Sequence, residues 1–147
     1  MAYGKFESVT RIGYNDGTES RIGANSAAII PGDAIKMTGE FATLAGAGET
    51  IVGVAVSQKT FASDNQTVAA EKLIYTPTND TSTFRIPILG GTITAADVNK
   101  YYDITSTQVV DGTTETTTAT GQLQLVKFIS SVSGATMGLG EFKVVNL

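Results

Sequence analysis

The chain has 147 residues, enough for one compact domain with its own core. It contains no Cys, His or Trp, which excludes disulfide scaffolds, thiol redox centres, Cys- or His-ligated metals and every Ser–His or Cys–His nucleophile. Ten basic against 14 acidic residues give a formal charge of −4, the wrong sign for a dedicated nucleic-acid binder.

Charged residues make up 16% of the chain and threonine supplies 22 copies, so the polar surface is hydroxyl-rich. With 16 Gly and many β-branched residues, the composition reads as all-β, a sandwich or barrel with at most one short helix. Met1 to Thr10 lacks a basic stretch followed by an apolar one, so no secretory signal is expected and the chain is expected to fold in a reducing cytoplasm. Apolar runs such as Ile51 to Val56 fall far short of the roughly 18 residues of a membrane helix.

Residues 1–26 differ from the rest. They carry Tyr3, Phe6, Arg11, Tyr14 and Arg21 but little apolar alternation, and two Arg-Ile-Gly triplets flank the turn signal Asn15-Asp16-Gly17. Two readings stay open: a local hairpin, or an extended arm that orders against a partner. Residues 27–147 read as a single β-domain. Ala27 to Ile30 is stopped by Pro31-Gly32, Asp33 to Thr38 alternates, and Glu40 to Ala45 continues after Gly39. Thr50 to Ser57 is the most convincing core strand, apolar on both faces, with Gly53 where a neighbouring backbone could approach.

Lys59 to Ala70 reads as loop or edge. Glu71 to Thr76 and Thr83 to Ile88 are expected strands, with Pro77 and Pro87 marking edges or bulges. Thr94-Ala95-Ala96-Asp97 matches a capping box and opens the one expected helix, a turn or two over Ala95 to Lys100. Tyr101 to Thr107 and Val109-Val110 return to strand, and Thr113 to Thr120 reads as an exposed hairpin or mobile loop with weak register. Gln122 to Ser131 and Gly140 to Asn146 close the series. The segment Gly32 to Lys36, leading into two strands and then Ile51 to Val56, is echoed faintly by Ala96 to Lys100, leading into two strands and then Leu125 to Ile129. Two related β-units would give such an echo.

Few groups point to chemistry. Gly46-Ala47-Gly48-Glu49-Thr50 lacks the Lys-Ser/Thr ending of a phosphate loop and precedes a strand, so it reads as a hairpin turn. Asn15 to Glu19 has the oxygens of a calcium loop but only a fragment of its spacing. The acids sit beside turn residues with no pair marked as convergent, so no catalysis and no cofactor are expected. Tyr101 and Tyr102 point to opposite faces of a strand, one of them into the core.

Gly32-Asp33-Ala34-Ile35-Lys36, Ala42-Thr43-Leu44-Ala45 and Ile51-Val52-Gly53-Val54-Ala55 together resemble the small capsid decoration (cement) proteins of tailed bacteriophages. Gly90 to Asp103 looks like the second half of such chains. The resemblance covers roughly residues 27–147 and implies a non-enzymatic virion protein on the outer surface of an icosahedral shell, often trimeric, with the major capsid protein as partner. Neither nucleic acid, membrane nor a small-molecule substrate is expected. Low charge and a strand apolar on both faces also suggest surface to be covered, hence a homotrimer, with a monomer as the alternative. Tyr3, Phe6, Arg11, Tyr14 and Arg21 are the expected capsid-binding residues, because aromatics and arginine dominate interface energies. The alternatives are another repetitive structural subunit (tail tube, fibre or surface layer) or a carbohydrate-binding module.

Overall fold

The computed structural model describes residues 6–8, 18–22, 28–38, 41–56, 59–60, 72–78 and 82–145. It is nearly all β. The strands are β1 (Glu7–Ser8), β2 (Thr18–Ile22), β3 (Ala28–Ile29), β4 (Ala34–Thr38), β5 (Phe41–Leu44), β6 (Gly53–Ala55) and β7 (Lys59–Thr60). They continue as β8 (Lys72–Pro77), β9 (Thr83–Leu89), β10 (Tyr101–Ile104), β11 (Val110–Thr116), β12 (Leu123–Ser130) and β13 (Gly138–Val144). Among the described residues the 3-10 turn Ala95–Asp97 is capped as its sequence dictates: the Thr94 side chain accepts from Ala96 N–H and the Asp97 carboxylate accepts from Thr94 N–H.

Strands β2-β5-β4-β6-β8 close into a barrel. The remaining large sheet runs β1-β9-β11-β10-β12-β13, and an additional β9–β13 pairing closes β9-β11-β10-β12-β13 into a second circuit. The two circuits share one connectivity. In each, the first strand runs parallel to the third (β2 with β5, β9 with β11) and all other neighbours are antiparallel. The faint sequence echo thus corresponds to two β-units of the same topology.

Burial divides along the strands with period two. Ile35, Ala42 and Ala55 pack with Ile29 inside the first barrel, whereas Ala34, Ala45, Ile51 and Val54 join the core of the second. Ile51 to Ala55 is apolar on both faces because one chain buries both. The surface that suggested a homotrimer at this strand is therefore covered internally, apart from the exposed Val56. Gly53 permits the close approach expected of it: a Cβ there would lie 2.3 Å from Tyr75 Cδ2 and 2.8 Å from the Thr76 carbonyl. At the start of the second circuit, Gly91 and Gly112 meet so closely that a Cβ on Gly91 would lie 2.4 Å from the Gly112 carbonyl oxygen.

Two expectations are corrected. Val110–Thr116 is a strand of the second circuit, so the hairpin or loop expected over Thr113 to Thr120 is strand as far as Thr116; Val110 and Gly112 are buried, Thr113 and Glu115 exposed, and Thr114 and Thr116 half-buried. The segment 1–26 is neither a free-standing arm nor a hairpin where it is described, because its two strands join different sheets. β1 pairs with β9 at Glu7↔Arg85, and β2 closes the first barrel between β5 and β8.

Candidate functional site

Of the residues expected to grip a partner, Phe6 is 3% exposed, and its ring packs on Phe84 with centroids 5.5 Å apart. Its N–H donates to the Gly32 carbonyl at 2.9 Å. This is a correction: Phe6 is a core residue, and a ring buried this completely offers no anchor to a partner. Arg21 lies in β2, paired through its backbone with Lys72 and Phe41. Tyr3, Arg11 and Tyr14 lie outside the described residues, as does most of the Asn15–Glu19 segment.

The two circuits are joined by two buried glutamines that sequence reading passed over. Gln108, with φ 63°, ends a turn in which its N–H donates to the Thr105 carbonyl. Its side chain donates to the carbonyls of Ala34 and Ala45 at 2.7 and 2.9 Å and accepts from Ala34 N–H at 2.9 Å. Gln122 accepts from Ile104 N–H at 2.9 Å and donates to the carbonyls of Gly46 and Glu49. Both amides are thereby satisfied, as buried polar groups must be. An isolated Gln in a threonine-rich stretch carries no signal of such a partner.

The turn that receives Gln122 is itself fixed. The Glu49 carboxylate accepts from Gly46 N–H at 2.8 Å and pairs with Lys36. The Lys36 hydrogen bond holds the Glu49 carboxyl below its ordinary range, against an opposing desolvation. Lys36, Glu49 and Thr50 with Met37 and Val52 line an open groove on the first barrel. In the second circuit Lys100 bridges Asp97, at 2.8 Å, and Glu115, which lowers the Asp97 pKa and raises that of Lys100. Beside them Tyr102 is fully buried, and burial pushes its phenol up to about 12. Among the described residues no group of three or more Asp or Glu converges on a metal position.

The most distinctive surface is the outer face of β9 and β13. Cross-strand pairing sets Arg85 opposite Glu141, with Nε to Oε1 at 3.5 Å, and Pro87 opposite Leu139. Glu7 flanks Arg85 from β1, and Lys127 flanks Glu141 from β12. Leu89 and Met137 come at the next level, 49% and 41% exposed. Ile129, the extra residue of a bulge opposite Leu139 and Gly140, adds to the same end. A row of alternating charge thus borders an apolar patch.

The fold and this surface define an all-β protein, a closed five-stranded barrel with a second large sheet, that carries a candidate protein-docking face. Comparison with protein-family models, curated proteins and solved structures returned no match.

Proposed function

We propose that the chain is a non-enzymatic structural subunit that attaches to the major capsid protein on the outside of an icosahedral phage shell and stabilises that shell. The observation that carries this reading is the juxtaposition of the resemblance blocks. Gly32 to Lys36, Ala42 to Ala45 and Ile51 to Ala55, apart in sequence, lie on or beside strands adjacent in the order β5-β4-β6. Their non-apolar positions have backbone work to do: Gly32 adopts φ 95°, and the Asp33 carboxylate accepts from Ile30 N–H at 3.0 Å. The pattern therefore describes one continuous piece of barrel, as a shared architecture requires. Gly90 to Asp103 runs through the capped turn into β10, the counterpart of β4 in the second circuit.

Closed circuits joined through one core suit a bracing role, because closure leaves few strand edges free. Tyr3, Arg11, Tyr14 and Arg21 are the proposed capsid contacts. The test is mass spectrometry of purified particles together with binding of the purified chain to bare capsids. A band at near-capsid copy number is expected, along with at least tenfold weaker binding when Tyr3, Arg11 and Tyr14 are replaced by Ala. Absence of the chain from particles, or failure to bind bare capsids, overturns the proposal.

A further inference from the structure

The outer face of the β9–β13 pair is complementary to itself. Across four neighbouring strands the charges read Glu7, Arg85, Glu141, Lys127, alternating in sign. An even alternating row reversed end for end presents the opposite sign at every position. The next levels along the strands are apolar, Pro87 with Leu139 and then Leu89 beside Met137. Of the five most exposed large apolar residues described, Leu89, Ile129 and Met137 gather at this end of this face. Contiguous apolar patches on a soluble surface mark interaction sites, whereas scattered ones do not.

We propose that this face is an isologous interface between two copies of the chain, related by a two-fold axis running along the strands between β9 and β13. Such an axis turns the face over while keeping each row at its own level. Arg85 then meets the second copy's Glu141, and Glu141 its Arg85. The long side chains of Glu7 and Lys127 reach each other from the flanks. The apolar levels meet like with like. A charged row of one sign would repel its own copy; the alternation removes that penalty and fixes the orientation. The inference stands whether or not the chain decorates a shell, since it concerns the purified protein alone.

The test is sedimentation of the full chain over a wide concentration range. A species of twice the 15.3 kDa chain mass is expected. Arg85→Glu and Glu141→Arg each make the central charges alike, and each raises the dimer dissociation constant at least tenfold. Mixed together they pair one to one, because Glu at 85 of one chain then faces Arg at 141 of the other. A role of this pair confined to one chain cannot be restored by mixing. Met137→Glu, outside any strand, weakens association with unchanged circular dichroism and carries the test if either charge variant fails to fold. A wild-type monomer, a trimer, variants that still dimerise as tightly, or a mixture that stays monomeric overturns the proposal.

Discussion

The Gln108 side chain pairs with the backbone of Ala34 as a neighbouring strand would, donating to its carbonyl at 2.7 Å and accepting from its N–H at 2.9 Å. A third bond, donated by the same amide, reaches the Ala45 carbonyl. One residue thus ties the start of β4 and the end of β5 to the other circuit. Gln108→Ala leaves Ala34 N–H and two carbonyls without this partner in a buried place. The expected loss is about 3 kcal/mol, since each orphaned buried group costs roughly 1–3 kcal/mol. Gln108→Glu is expected to lose comparable stability, because a carboxylate cannot donate to either carbonyl. Urea titrations of both variants check this.

Tyr102 gives a prediction of opposite sign. Its ring packs edge-on against Phe142, with centroids 6.1 Å apart, and its buried hydroxyl has no hydrogen-bond partner among the described residues. Removing an unpaired buried hydroxyl while keeping the ring relieves its desolvation, so Tyr102→Phe is expected to raise stability by about 1 kcal/mol. The wild type also carries an alkaline signature. Its phenol is raised from 10.0 to about 12 in the fold, mainly by burial. Stability from this group is full below the unfolded value and is lost as pH rises through the folded one. Melting temperature should therefore fall more steeply above pH 10 in the wild type than in Tyr102→Phe.

Acid acts through Asp97. Its bond to Lys100 and the cap on Thr94 N–H hold its carboxyl below the ordinary 3.8. A lowered folded value contributes stability above the unfolded value and loses it as pH falls through the folded one. Asp97→Asn keeps a side-chain acceptor for the cap but removes the titration. Melting temperature should decline less on acidification through the carboxylate range in the variant than in the wild type.

Gly53→Ala tests the closeness of β6 and β8. The new methyl would collide with the Tyr75 ring and the Thr76 carbonyl, and a backbone oxygen cannot swing aside. A loss of about 1–3 kcal/mol is expected, typical of overpacking, read from the urea midpoint.

Much of this was legible because it is local. The capping box at Thr94 and Asp97, the opposed faces of Tyr101 and Tyr102 and the tight place at Gly53 each derive from spacing or residue type. The part of β11 beyond Val110 was hidden because it holds no large apolar residue: Gly112 is buried, Thr114 and Thr116 are half-buried, and Thr113 and Glu115 are exposed, so hydrophobic contrast along it is weak. Phe6 looked like an anchor because its few neighbours in sequence gave it no core to join; Phe84 supplies one from the second half of the chain. Gln108 and Gln122 were missed for a related reason. Their partners are backbone groups of a different circuit, and a backbone carbonyl has no letter in the sequence. The same holds for the face built by Arg85 and Glu141, which exists only once β9 and β13 are paired.

The pairing of β1 with β9 has a consequence for synthesis. Glu7 leaves the ribosome long before Arg85, and at about 5–20 residues per second its partner emerges roughly 4–15 s later. Through that interval Phe6 has neither Phe84 nor the residues that the second circuit itself brings to their shared core. The first barrel, by contrast, has all five of its strands translated once Pro77 has emerged. A nascent chain stalled after β8 should thus hold one assembled barrel with an uncovered aromatic at its leading end, a form for a chaperone to recognise and for the second half of the message to resolve.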